Sequence, residues 1–530
     1  MKKAPLKITF AQINTVVGDT QSNLQEILKC IDNASSEASD MIIFPECALT
    51  GYPLKDLVWH SKLRENSELA LQKICQHQPN IVVVLGFPKW LNTRCYNMAG
   101  WIHGGKIVFE YAKQALPNHL CFDEPRTFTP GQEKSPLIHF KGYKFALSVC
   151  YDIWHPDSLK NICSSPIDCL INLSASPFTI NKHQEREKIL ANAAKTLDCH
   201  IFYVNTVGGQ DQLIFDGNSQ CYHQDGTQTL QLAHCQPETY TFSWPALTPK
   251  PTKKPIMPHN HRLYKALKLG LKDYVHKNNF QNVCLGISGG VDSALVAKLA
   301  VDTFGPAHVS ALYMPSPYSR DESEALAREF CSTLNISLYT QPISPAYKLL
   351  TQQLQSFDEK ETVVSIANQN LQARLRGIML MHYANQNNAL LLNTGNKSEF
   401  SMGYCTLYGD MAGAIAPIGD LSKTQIYSLC DFLNQYDGQI PERILTRPPS
   451  AELSPNQKDS DSLPEYKMLD AGMQAYLNHQ TIDEPGLTEF QIEESIQKNE
   501  YKRFQAAPIL RVSTTAWDSD RKMPLTYKIS

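Results

Sequence analysis

The 530-residue chain has no Gly-x-x-x-x-Gly-Lys followed by Ser or Thr, so it lacks the phosphate loop of Walker-type ATPases. Its fifteen cysteines include no Cys-x-x-Cys pair, which removes the usual signal of a zinc site or a disulfide framework. No apolar run approaches the roughly 18–20 residues that cross a bilayer. A formal net charge of −3 leaves no basic footprint for nucleic acid. The N-terminus runs straight into a strand-like Leu6–Phe10 with no signal-peptide core. The reading from these absences is a cytoplasmic chain in a reducing environment, with no nucleic-acid or membrane partner. Phosphate binding, if present, must be local to loops, and a particular cysteine is free to work as a thiolate.

What is there divides in two. Pro245, Pro249, Pro251, Pro255 and Pro258 crowd a short stretch that can be neither helix nor central strand. The expected organisation is a domain over 1–245, a Pro-rich linker over 246–260 and a second domain over 261–530. Both halves alternate β-branched runs with amphipathic stretches, the pattern of α/β domains. Strands are predicted at 81–86, 144–149 and 169–173, then at 283–287, 309–314 and 389–393, with helices at 24–31, 187–197 and 262–276. Residues 446–464, rich in Pro, Ser and Asp, are expected to form a long loop and a candidate lid.

In the second half, an apolar strand runs through Gly286 and Ile287 into Ser288-Gly289-Gly290-Val291-Asp292-Ser293 and then a helix. Strand, glycine turn and helix start aim backbone N–H groups and a positive helix end at phosphate. Ser288 and Ser293 add hydroxyls, and Asp292 can hold magnesium against phosphates. Further along, Asn370, Arg374 and Arg376 lie on a predicted helix, where they can present an amide and guanidinium groups to a phosphorylated ligand. The strand at 389–393 runs into Thr394-Gly395-Asn396-Lys397-Ser398-Glu399, where Glu399 offers a second carboxylate for the metal. Glu500-Tyr501-Lys502-Arg503 forms a third charged cluster.

In the first half, three reactive residue types sit at strand ends: Glu46 after 41–44, Lys113 after 107–111 and Cys150 after 144–149. A thiol at a strand end is held stiffly, and it needs a base or a cation to react at neutral pH. Spacing alone does not show that the three meet.

Residue by residue, Phe44-Pro45-Glu46, Tyr111-Ala112-Lys113 and Cys150-Tyr151-Asp152 resemble the Glu–Lys–Cys triad of the nitrilase, or carbon–nitrogen hydrolase, family. That resemblance covers most of residues 5–240. It implies that Glu46 takes the proton of Cys150, that Cys150 attacks an amide carbon and that Lys113 stabilises the oxyanion. Glu124 resembles the family's second glutamate, which orients this machinery. Ser176 and Lys182 match positions that hold glutamine in glutaminase members. His119 stands where those relatives carry a tyrosine that contacts glutamine.

The phosphate loop resembles that of ATP pyrophosphatases. Together with NLQARLRG, NTGNKSE, Pro448-Pro449-Ser450-Ala451-Glu452-Leu453 and the 500–503 cluster, it resembles NAD synthetases over nearly all of 262–510. The whole chain is thus similar to the glutamine-dependent NAD synthetase family. The implied fold is an N-terminal nitrilase-like α-β-β-α sandwich followed by a C-terminal doubly wound, Rossmann-like parallel sheet of the adenine nucleotide α-hydrolase type. The implied reaction uses ammonia from glutamine to amidate deamido-NAD after ATP has adenylated it, with Mg2+ as cofactor. Residues 286–293 and Thr394 would contact ATP, while Asn370, Arg374, Glu399 and Lys502 would contact deamido-NAD. Asp292 and Glu399 would serve the metal. Relatives dimerise through the synthetase domain, which implies a homodimer or higher homo-oligomer. Gln369 departs from the glutamate that relatives commonly carry there. Two other readings stay open at this point: a glutaminase feeding a different adenylating synthetase, and a non-catalytic first half beside a second half that uses free ammonia.

Overall fold

The structure is a computed structural model that describes residues 3–77, 80–245, 257–354, 365–436, 438–481, 489–518, 520–521 and 523–526. The chain forms two compact units, 1–258 and 259–530. Most of the expected linker, residues 246–256, lies outside the described residues. Its last two positions already belong to the helix His259–Lys277, which starts directly after Pro258, a residue tolerated at a helix start but not inside one.

The first unit stacks two six-stranded sheets between helices. One sheet runs in the order Glu238–Trp244, Leu6–Gln12, Met41–Ile43, Val82–Leu91, Arg94–His103, Lys106–Ala112. The other runs Gln228–Gln231, Gln220–Tyr222, His200–Asn205, Cys169–Ser174, Tyr143–Val149, Ile138–Phe140. The central strands Met41–Ile43 and Cys169–Ser174 are buried at every position because both of their faces are covered. Ile8, Phe10, Met41, Ile43, Val82 and Val84 point into the core between the sheets. Their neighbours Ala11, Ile42, Phe44, Val83 and Leu85 pack instead on the helices Thr20–Ser36 and Ser61–Gln76. The first of these helices starts where the Asp19 carboxylate accepts from the Ser22 N–H, and it buries Leu24, Ile27, Ile31 and Ala34 at helical spacing. Each such buried aliphatic side chain contributes about 1.5–3 kcal/mol. Across the second sheet, the helix Lys182–Leu197 buries Leu190, Ala193 and Ala194. The result is the α-β-β-α sandwich.

The second unit is built on four parallel strands in the order Ser337–Thr340, Val309–Tyr313, Asn282–Gly286, Ala389–Leu392. The chain leaves Asn282–Gly286 in one direction and returns on its other side, so a crevice opens at the carboxyl ends of Asn282–Gly286 and Ala389–Leu392. In such sheets this reversal point is where ligands bind. The helix Val291–Phe304 is buried nearly all round, through Leu295, Val296, Ala297, Leu299 and Ala300. Residues 447–458 carry no helix or strand. Among the described residues no helix is long and apolar enough to cross a membrane.

Candidate active sites

In the first unit, the strands that carry Glu46, Lys113 and Cys150 end at one place. Lys113 is 1% exposed, and its ammonium donates to Glu46 Oε1 at 2.8 Å and to Glu124 Oε1 at 2.7 Å. Glu46 also accepts from Asn97 Nδ2 at 2.7 Å and, through Oε2, from the Ala175 N–H at 2.7 Å. Tyr52 donates its hydroxyl to Glu124 at 2.7 Å. Glu124 Oε2 is buried and has no hydrogen-bond partner among the described residues. Burial would lower the Lys113 ammonium, but Glu124 and Glu46 hold it well above its ordinary range.

Cys150 begins a 3-10 turn directly after Tyr143–Val149, at a left-handed φ of +44°. For a residue with a Cβ that conformation is unusual and must be held by its surroundings. Asp152 supplies the hold. Its carboxylate accepts from the Val149, Gln114 and Ala115 N–H groups at 3.0, 3.0 and 2.8 Å and from the Tyr111 hydroxyl at 2.9 Å. One side chain thereby ties the cysteine turn to the segment that carries Lys113. Burial pushes the Cys150 thiol up, Glu46 and Glu124 push the same way, and Lys113 and the Ala175 N–H pull it down. A thiol held protonated in this way needs a base at the moment of attack, and a carboxylate acting on the same thiol can be that base.

Two of the expected amide-binding residues are tied to the cysteine turn, Lys182 through its charge and His119 through the Tyr151 ring. The Ser176 N–H donates to Asn205 Oδ1 at 2.8 Å, which fixes its backbone. The Lys182 ammonium lies 3.8 Å above the Trp154 ring, and its charge acts on both Cys150 and His119. Burial lowers the Lys182 ammonium, and burial together with Lys182 lowers the His119 imidazole. The His119 ring packs against Tyr151, 5.4 Å away between centroids. Tyr52, Asn97 and the Ala175 N–H were invisible in the sequence, being isolated polar groups in apolar surroundings. Asp152 was in view inside Cys150-Tyr151-Asp152, but its stapling role was not.

In the second unit, the crevice holds a cavity of about 280 Å³ lined by Gly286, Ile287, Ser288, Gly290, Val291, Asp292, Ser293, Thr394 and Glu399. Gly289 is turned away from it. At a φ of +76°, a Cβ there would sit 2.7 Å from the Ser323 carbonyl oxygen, so only glycine fits the turn. Ser293 Oγ donates to the Gly290 carbonyl at 3.0 Å and accepts from the Ser288 N–H at 3.2 Å, which braces the loop from inside. Asp292 accepts from Asn396 Nδ2 at 2.9 Å and from Lys423 Nζ at 2.6 Å. Lys423 also donates to Glu399 at 3.4 Å. The two carboxylates therefore converge on one cation-sized point. Burial, with Asp292 and Asp459 nearby, pushes the Glu399 carboxyl up to about 8 against the pull of Lys423. No group of three or more His, Cys, Asp or Glu among the described residues forms a closed metal cage.

Asn370, Arg374 and Lys502 do not line this cavity. They hold one loop beside it: Asn370 Oδ1 accepts from Thr406 Oγ1 at 2.8 Å, Arg374 Nε donates to the Leu407 carbonyl at 3.2 Å, and Lys502 Nζ donates to the Gly403 and Cys405 carbonyls at 2.7 and 3.0 Å. Arg376, two residues further along the helix Ile366–Gln386, lines the cavity together with Ala373, Gly377 and Leu380. Lys423, Asp410 and Asp459 also line it, and no local sequence pattern marks any of the three. The expected loop after 446 contributes Arg447 through Leu453 to the wall.

Residues 7–241 match the carbon–nitrogen hydrolase family model and residues 263–506 match the NAD synthase family model. The chain is similar to the glutamine-dependent NAD(+) synthetase of Aquifex aeolicus (strain VF5), at 37% identity over 99% of both chains. It is similar to that of Acinetobacter baylyi at 36% identity over 98% of both. Among solved structures it resembles the glutamine-dependent NAD+ synthetase of Acinetobacter baumannii in complex with ADP, at 33% identity, a TM-score of 0.81 and 98% coverage of both chains. The enzyme of that name from Cytophaga hutchinsonii shares the fold at 21% identity and a TM-score of 0.86, over 99% of this chain and 98% of that one.

Proposed function

The chain belongs to the glutamine-dependent NAD(+) synthetase family, and from that premise we propose how its two centres divide the reaction. The first releases ammonia from glutamine, and the second uses it to amidate adenylated deamido-NAD, giving NAD, AMP and pyrophosphate. The observation that carries this division is the presence in one chain of a buried Glu46–Lys113–Glu124 cluster around a cysteine and a phosphate loop at the reversal point of a parallel sheet.

Glu46 takes the Cys150 proton as the sulfur attacks the glutamine amide carbon. The Lys113 ammonium, already charged and dry, stabilises the oxyanion that forms, where a preorganised cation is worth most. Glu46 returns the proton to the departing ammonia, and then activates the water that hydrolyses the thioester. Glu124 and Tyr52 keep Lys113 in place. Ser176, Lys182 and His119 hold glutamine over the thiol.

In the second centre, the N–H groups of 288–293 and the start of the helix Val291–Phe304 receive ATP phosphates, and Thr394 contacts the nucleotide from the neighbouring strand. The donor set fits magnesium: Asp292 and Glu399, which share the Lys423 ammonium here, are the hard oxygen donors that would hold it, with water and phosphate to complete its shell. Bound there, magnesium would neutralise phosphate charge. Lys423 shares that duty. Asn370, Arg374 and Lys502 serve deamido-NAD through the loop 403–407 that they position. A homo-oligomer through this unit and a cytoplasmic location belong to the same proposal.

NAD formation from deamido-NAD, ATP and Mg2+, supplied with glutamine or ammonium, tests the reading. The unmodified chain should use both nitrogen sources. Cys150→Ala should lose glutamine-dependent synthesis by about a thousandfold or more while keeping the ammonium-dependent reaction. Glutamine use retained by the variant would remove Cys150 from the mechanism, and glutamine hydrolysis without NAD from either source would mean a different acceptor.

A further inference from the structure

Among the described residues, three cationic side chains line the nucleotide cavity: Arg376, Lys423 and Arg447. Their partners differ. Lys423 is committed to Asp292, and Arg376 Nε donates to the neutral Met314 carbonyl at 3.0 Å. Arg447 pairs with an anion of its own loop, Glu452, whose side chain also lines the cavity. Glu452 is the hub of that wall. It accepts from Ser323 Oγ at 2.7 Å and from the Arg320 N–H at 3.4 Å, and it lies 3.8 Å from Arg320 Nε. Its backbone is held at a φ of +50°, a left-handed conformation costly for an L-residue. Ser323 links this hub to the phosphate loop, because its carbonyl is the surface against which Gly289 turns. A carboxylate thus stands one residue away from the loop that receives phosphate, and it holds a guanidinium that lines the same cavity.

A site that neutralises polyphosphate completely binds its product as well as its substrate. From this geometry we infer that Glu452 is a positioning residue that competes with pyrophosphate for Arg447, and so limits how tightly the leaving group is held. The inference rests on the reading that ATP is cleaved to AMP and pyrophosphate in this cavity. Arg447 can present its fork to Glu452 or to a phosphate, since both are planar-recognised anions that accept paired N–H donors. When pyrophosphate forms, Arg447 stabilises it; when it leaves, Glu452 takes the guanidinium back. Glu452 carries no proton or bond of the reaction itself.

The test is calorimetric titration of the full-length chain with inorganic pyrophosphate in the presence of MgCl2, and separately with ATP. Glu452→Gln should tighten pyrophosphate binding by about tenfold, and Arg447→Gln should weaken it by a similar factor. In the double variant the gain from Glu452→Gln should vanish, because the guanidinium for which it competes is gone. The sign separates this role from a structural one: a carboxylate that merely braces the loop would, on removal, weaken binding of both ligands. Ser323→Ala gives a second approach if Glu452→Gln lowers the melting temperature, and it should tighten pyrophosphate about two- to threefold by loosening Glu452. Unchanged or weaker pyrophosphate binding in both Glu452→Gln and Ser323→Ala overturns the proposal. Failure of the unmodified chain to bind either ATP or pyrophosphate overturns the nucleotide reading, and the proposal with it.

Discussion

The two centres handle charge in opposite ways. In the first unit Glu46, Lys113, Glu124 and Cys150 are all buried and already bonded to one another or to fixed backbone groups. In the second unit the corresponding charges line a cavity, and several of them are shared: Lys423 bridges Asp292 and Glu399, and Glu452 serves both Arg447 and Arg320. The difference follows from what each centre must accommodate. Attack on an amide carbon moves one proton and a small oxyanion over short distances, so a dry, fully assembled cluster is sufficient and cheap to keep rigid. A triphosphate brings several charges with it, so the receiving site needs counter-charges that can change partner.

After Cys150→Ala, the largest expected effect lies on the second centre. Asp292→Asn should reduce NAD synthesis with either nitrogen source by about a hundredfold or more while glutamine hydrolysis persists, and chelation of Mg2+ with EDTA should do the same to the unmodified chain. Parallel assays of NAD and glutamate formation check this. Loss of both activities together would break the contrast, since it would make the first centre depend on groups of the second.

The next effect sharpens the first centre. Burial pushes the Glu124 carboxyl from 4.5 up to about 7, against the pull of Lys113. A folded-state pKa raised in this way contributes stability that is complete below about 4.5 and is lost as pH rises through about 7. Glu124→Gln carries no such titration. Relative to the unmodified chain it should gain stability on going from pH 5 to pH 8. Thermal or denaturant unfolding of the two proteins at pH 5 and pH 8 measures the difference, and one that does not move with pH would contradict the assignment.

The smallest effect concerns the rim. His119→Tyr should lower the Michaelis constant for glutamine by about two- to fivefold if the ring touches the substrate. The packing of His119 on Tyr151, next to Cys150, motivates that expectation. Steady-state glutaminase kinetics decide it, and an unchanged constant would place His119 outside the binding site.

Much of the architecture was legible in the residue pattern, for a reason visible in particular strands. Val82–Leu85 is a continuous apolar run, and Cys169–Leu173 is one broken only by Asn172, because both faces of each sheet are covered, and such runs stand out in a sequence. The phosphate loop was legible because a chain that turns against Ser323 at Gly289 needs glycine there. Other features left no local mark. Asn370, Arg374 and Lys502 look alike in sequence whether they reach a ligand or hold a loop, and in the fold they hold residues 403–407. Lys423 passed unnoticed because a single lysine beside a helix cap is ordinary until its neighbours are known.

The sequence by itself determined which chemistries are present and where along the chain they stand: a thiol, a lysine and carboxylates at strand ends, and a glycine turn between strand and helix. These are local matters of residue type and backbone conformation. Only the tertiary structure decided which groups meet. Lys113 finds Glu46 from 67 residues away, Asn396 finds Asp292 across 104, and Lys423 reaches Asp292 across 131. Such pairs are set by strand order and sheet register rather than by spacing along the chain. The same convergence sets which carboxyls are pushed up and which ammonium groups stay charged, because burial and neighbouring charge act through space.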